Sequence, residues 1–307
     1  MAMLPDTLPE RPAAPSSSIP QRIDELASRD CSARLGAVIA MGKLEAGNLP
    51  QHAAVAKAMS DDDSNVRLGA VRALSSLEPA ALATHARSIA ARLDDTDGDV
   101  RMAAVRALGG LDAPTLAKHA ADLVARVADT DPDVRLATVL ALGQLKPWKL
   151  EQMAPSIEAH LGSSNSGVRY SALEALGELK PPALAERTDA IVRMLYDSDG
   201  DVRLMAMLLL CKLRPSDIEA HASHVVAHLE DADSDVRLTA MRVLSRLEPA
   251  ALVEHAADVV QKLVVQTLNR DHELEDIARV GPNGAMPLPT GMAASPITAS
   301  ERSRRPL

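Results

Sequence analysis

Asp95-Thr-Asp-Gly-Asp-Val-Arg-Met-Ala-Ala-Val-Arg-Ala-Leu-Gly-Gly-Leu111 decides the fold of this chain. The stretch returns nearly unchanged at 129–145, 197–213 and 231–247, and in looser form at 28–44, 61–77 and 163–179. Its arginine recurs as Arg34, Arg67, Arg101, Arg135, Arg169, Arg203 and Arg237, with one spacing of 33 residues and five of 34. A fixed period of this size marks an array of supersecondary units, each burying its apolar face against its neighbours. The array overrides the two domains that 307 residues would otherwise suggest.

Each unit reads as two helical segments. In the clearest one, Pro79 opens a segment in which Leu82, Ala86, Ile89 and Leu93 recur every three or four residues. That spacing predicts an amphipathic helix of about 14 residues. Proline suits the first turn, where its missing N–H has no partner to lose, and Pro147, Pro181, Pro215 and Pro249 hold the same column. An Asp-rich turn follows, then a second helix with Val100, Ala104, Ala107, Leu108 and Leu111 on one face. The pattern bounds an all-α solenoid over 21–278: seven helical pairs and a capping helix from Ala250 to about Leu268. Residues 1–20 and 279–307 read as disordered tails from their Pro/Ser-rich and low-complexity composition.

The motif Val-Arg-x-x-Ala-x-x-Ala-Leu-x-x-Leu after an Asp-containing turn, standing as Val66–Leu77, Val100–Leu111 and Val168–Leu179 and with one change in three further units, resembles the HEAT repeat. The tetratricopeptide pattern needs aromatics that a chain with no Phe does not supply. At 34 residues the units are shorter than the usual HEAT length of about 40–47, and they look like the short HEAT-like class also found in phycobilin lyases. The resemblance implies a right-handed α-α superhelix of HEAT/armadillo type, with the Val-Arg helices lining the concave surface. It also implies a protein-binding scaffold, with a phycobilin-lyase-like or oxidoreductase-like HEAT enzyme as the alternative.

Composition narrows the class. A net charge of −9 argues against nucleic acid, whose phosphates need Lys and Arg. No apolar run approaches the roughly 20 residues that cross a bilayer. Cys31 and Cys211 lie five units apart, which argues against a disulfide framework and for a reducing compartment, the cytoplasm by default. A monomer binding protein partners, without a cofactor, is the expectation.

The carboxylates look at first like chemistry, but they do not form an EF-hand: counting from Asp95, the loop's sixth position is Val100 and its twelfth Arg106, not Gly and Glu. The residues two before each arginine, such as Asn65, Asp99, Asp133, Asp201 and Asp235, are N-cap types. Those four before it suggest a structural ladder pairing Asp63 with Arg67, Asp97 with Arg101, Asp131 with Arg135, Asp199 with Arg203 and Asp233 with Arg237. His221, His224 and His228 share a helical face at i, i+3 and i+7, with His255 as a further ligand, and form a weak metal candidate. No catalytic set emerges.

Packing dictates the repeated columns, so specificity belongs to the columns that change. Five and nine residues after the arginine these hold Lys43, Arg72, Arg106, Gln144, Glu174, Glu178, Lys212, Arg242 and Arg246, four apart and therefore on one helix face. The only aromatics, Trp148, Tyr170 and Tyr196, fall in the fourth and fifth units, beside the acid-free turn Ser163-Ser-Asn-Ser-Gly167. Trp, Tyr and Arg dominate interface hot spots, so these residues complete the expected partner-binding set.

Overall fold

In a computed structural model of the chain, residues 19–42, 49–262 and 264 are described. The chain divides into two compact units, Met1–Ala257 and Asp258–Leu307. Of the second, residues 258–262 and 264 are described, and they are helical. The first is an all-α solenoid that begins with the helix Ile19–Glu25, with no strand among the described residues. The expected tails, apart from residues 19–20, and the end of the expected capping helix lie outside the described residues.

The marker arginines sit on Cys31–Gly42, Ser64–Ser75, Gly98–Gly109, Pro132–Gly143, Ser166–Leu176, Gly200–Leu210 and Ser234–Leu244. Each of these helices packs on the next and forms one continuous layer. The sequence pattern explains the stacking. Val100, Ala104 and Leu108, at i, i+4 and i+8, are fully buried, as are Val202, Ala206 and Leu210. Burying one such Leu contributes about 2 kcal/mol. Small residues let the helices close up: a Cβ added to Gly42 would stand 2.7 Å from Cβ of Ala73 on the next helix.

The proline-led segments differ from the single long helix expected. Most break in the middle, as in Pro79–Ala83 and Ala86–Ala90, or Ala113–Leu116 and Ala120–Ala125. The break falls at the column of His85, His119, Arg187 and His221, whose backbones leave helical geometry (His85 at φ −104°, ψ −1°). Where Met153 holds that column the helix runs unbroken from Pro147 to Glu158.

The Asp-rich turns require two corrections. The N-cap lies four residues before the arginine, not two. Asp63, extended at φ −83° and ψ 125°, accepts from the N–H groups of Asn65 and Val66, and Asp97, Asp131, Asn165, Asp199 and Asp233 cap likewise. With its oxygen aimed at the first-turn amides, this acid is not the arginine's partner. The arginine reaches instead to the acid of the following turn: Arg67 to Asp95, Arg101 to Asp129, Arg169 to Asp197 and Arg203 to Asp231, each 28 residues on, and Arg34 to Asp61.

Each rung uses the planar fork fully. Nε and Nη2 of Arg101 donate to the two carboxylate oxygens of Asp129 at 2.9 and 2.8 Å. Nη1 turns back to the carbonyls of Asp95 and Thr96 in its own turn. The same Asp129 accepts the N–H of Asp131, the next cap. One guanidinium thus ties two turns together.

The rung carboxyls Asp61, Asp95, Asp129, Asp197 and Asp231 all lie below the ordinary value of 3.8. Burial pushes the last four upward, but the paired arginine, the capping N–H and the neighbouring guanidinium charges outweigh it. At Asp61 the Arg34 hydrogen bond is the largest effect.

Removing Asp129 strands a buried guanidinium, so Asp129→Ala should cost about 3 kcal/mol in urea unfolding. Asp97→Ala, which removes only a cap, should cost about 1 kcal/mol; equal losses would contradict the division of roles. Because the folded values are depressed, the rung contribution is complete above pH 3.8 and is lost as the pH falls through the lower folded values. The urea midpoint should therefore drop below pH 3.8, and less steeply in Asp129→Asn.

Candidate functional site

The ladder changes at one place. Arg135 holds its own turn as the others do, Nη1 donating to the carbonyls of Asp129 at 2.9 Å and Thr130 at 3.3 Å. Twenty-eight residues on, however, stands Ser163 in place of the acid. Among the described residues Arg135 has no ion-pair partner, and its Nε is buried without a hydrogen bond. The turn 163–167 contains no carboxylate, and its cap is the neutral Asn165, which accepts from the N–H of Gly167 at 2.9 Å. A Cβ on Gly167 would stand 2.6 Å from Nη2 of Arg135, so this glycine makes room for the guanidinium.

Beside Arg135 opens a cleft of about 400 Å³, lined among others by Leu136, Tyr170, Glu174, Asp199 and Asp201. Burial, then the adjacent Glu178, pushes the Glu174 carboxyl above its ordinary 4.5. Burial, then Glu174 and Asp201, raises the Tyr170 hydroxyl. Asp199 is held low, first by a hydrogen bond from Ser166. The cleft therefore combines one arginine free to take an acceptor with an acidic wall and an apolar, aromatic surface.

The architecture, period and turn chemistry agree with what comparison finds. The HEAT-repeat family model matches residues 19–109, 86–177 and 120–207. The chain belongs to the HEAT-repeat family. No curated protein matches it. A crystal structure of an engineered protein from the Northeast Structural Genomics Consortium is similar at 20% identity, covering 80% of this chain and 71% of that one, with a TM-score of 0.49.

Within the HEAT array the residues expected to bind a partner separate. Arg72, Arg106, Gln144, Glu178 and Arg242 are exposed, and Glu174 is half-buried in the cleft. Lys43 lies outside the described residues. Two others are engaged in stitching units together: Lys212 donates to the carbonyl of Gly177 at 2.9 Å, and Arg246 to the carbonyls of Cys211 and Leu213. The aromatics do not share the cleft. Tyr170 lines it, Trp148 is exposed on the first turn of Pro147–Glu158, and Tyr196 packs edge-on against His224 and His228.

The histidines do not converge on a metal, and among the described residues no group of His, Cys, Asp and Glu could hold one. Ring nitrogens of His221, His224 and His228 have other partners. Both nitrogens of His228 face carbonyls, those of His224 and Leu195, at 2.8 and 2.6 Å. Nδ1 of His224 meets the Tyr196 hydroxyl at 2.8 Å, and His221 lies 3.4 Å from Asp189.

Sequence reasoning missed the apolar half of the site. Leu136 and Leu140, four apart on one helix, are 49% and 64% exposed, and Leu208 and Leu238 emerge on later helices. For Leu140 and Leu208 the signal was the leucine at column five in place of the charged residues of other units; Leu136 and Leu238 stand in a column that holds Leu in most units and so carried none. Arg135 was read as one rung among equals, because Ser163 acquires meaning only once the pairing offset of 28 is known.

The raised Glu174 carboxyl carries a sign. A folded value above the unfolded one means that the contribution is full below pH 4.5 and is lost as the pH rises through the folded value. Glu174→Gln should therefore raise the melting temperature at pH 7, with the gain vanishing below pH 4.5; no gain at neutral pH would contradict the crowding of Glu174 by burial and Glu178.

Proposed function

We propose that this HEAT-repeat chain is a non-enzymatic adaptor that holds a protein partner along the exposed face of its arginine helices. The observation that carries the reading is the run of outward-facing apolar side chains, Leu136, Leu140, Leu208 and Leu238, on a solenoid whose core columns are already filled. Exposed apolar side chains beside a cleft suit an interaction site. The half-buried Tyr170 beside them adds the aromatic anchor that hot spots favour. An acidic chain with charged columns flanking that surface suits a protein rather than a nucleic acid. The reading further takes the chain to act as a monomer in the cytoplasm; no described helix is long and apolar enough to cross a membrane.

Affinity capture from native lysate, followed by mass spectrometry, tests this. The wild-type chain should retain a reproducible protein partner. Leu136→Ser/Leu140→Ser should weaken that partner about tenfold or more while leaving the melting temperature near wild type, because both side chains face solvent. Undiminished capture by the double variant overturns the surface assignment. A pigment or metal retained in place of protein overturns the adaptor reading in favour of a HEAT-fold enzyme.

A further inference from the structure

We propose that the Arg135 cleft receives an aspartate or glutamate side chain of the partner polypeptide, whose carboxylate accepts from Nη2 of Arg135. This rests on the adaptor reading and names the chemistry the partner must bring.

Four observations lead there. Five arginines of the ladder present Nε and Nη2 to both oxygens of one carboxylate, and Arg135 alone among those from Arg34 to Arg203 does not. Its Nη1 is anchored to the turn behind it, as in every rung, so Nη2 is held in place for an acceptor. The Arg135 guanidinium lacks the counterion that the other rungs have, and a carboxylate at Nη2 supplies it. The facing turn offers Ser163, Asn165 and Gly167 where the next turn offers Asp197, Asp199 and Asp201, so no carboxylate of that turn competes for the fork.

The surroundings select a polypeptide. Leu136 and Tyr170 line the same cleft and give apolar contact to residues flanking the acid. Glu174, Asp199 and Asp201 line it too; they favour a basic neighbour in the ligand and disfavour polyanions.

The test uses acetyl-Leu-Asp-Leu-Lys-amide, its Asn counterpart and acetate, titrated into the full chain. The readout is the Nε–H resonance of Arg135 in heteronuclear NMR, identified by its loss in Arg135→Lys. The Asp peptide should give a saturable shift, and the Asn peptide and acetate should bind about tenfold or more weakly. Ser163→Asp places an acid on the 28-residue offset. It should abolish the peptide shift and raise the melting temperature together, a combination that a merely damaged protein does not give. Gly167→Ala, which crowds Nη2, should also weaken the peptide. Equal binding of the Asp and Asn peptides, or peptide binding by Ser163→Asp at wild-type strength, overturns the site. Acetate binding as tightly as the peptide overturns the polypeptide as its ligand. If the peptides fail while the partner captured through Leu136 and Leu140 still binds, the carboxylate site falls and the adaptor reading stands.

Discussion

One guanidinium joined to two successive turns is the interaction on which the array depends. The buried columns of Val, Ala and Leu supply most of the driving force, but an apolar face of this kind is tolerant of sliding. The arginine fork is not. With Nη1 on the backbone of its own turn and Nε and Nη2 on the next turn's carboxylate, Arg101 fixes both the distance and the rotation between two units. The acid is placed for this because it also binds the N–H of the following cap, so the ladder and the helix starts form one network.

A second set of ties runs along the outer segments. Arg92 and Arg126 each donate to a carbonyl of the preceding unit, of Met59 and Leu93, and His228 meets the carbonyl of Leu195. The same column holds His160 and Met194 in the two units between. The interruption in this outer column thus falls in the region where Ser163 interrupts the inner ladder. That region also carries the cleft, the half-buried Tyr170 and the exposed Leu136 and Leu140. Regularity and variation occupy different parts of the array, because atoms committed to a neighbouring unit are not free for other contacts.

Much of the fold was legible from the chain alone. The 34-residue period, the proline openings and the 3.6-residue spacing of Val100, Ala104 and Leu108 are local patterns, and helices and their buried faces follow from them. The outer segments were legible only in part, because the break at His85 and its counterparts leaves the apolar spacing intact and so leaves no mark in the pattern. The site was legible as a region, through the acid-free turn at 163–167 and Tyr170, but not as a constellation. Trp148 and Tyr196 share units with Tyr170 yet point elsewhere, since neighbours in sequence lie on different segments of a helical pair.

The sequence by itself determined the number of units, the helices and the columns that fill the core, because these obey the periodicity of a single helix. It also set down an arginine and, in five of the seven turns, three acids, without saying which pairs with which. Only the tertiary structure decided that, because the pairing crosses 28 residues and depends on how one unit is rotated on the next. Proximity in sequence favoured Asp97 for Arg101; the helix N-terminus had already claimed that carboxylate, and Asp129 took its place. The same decision turned Ser163 from a harmless variation into the reason that Arg135 lines a cleft without a carboxylate on its fork.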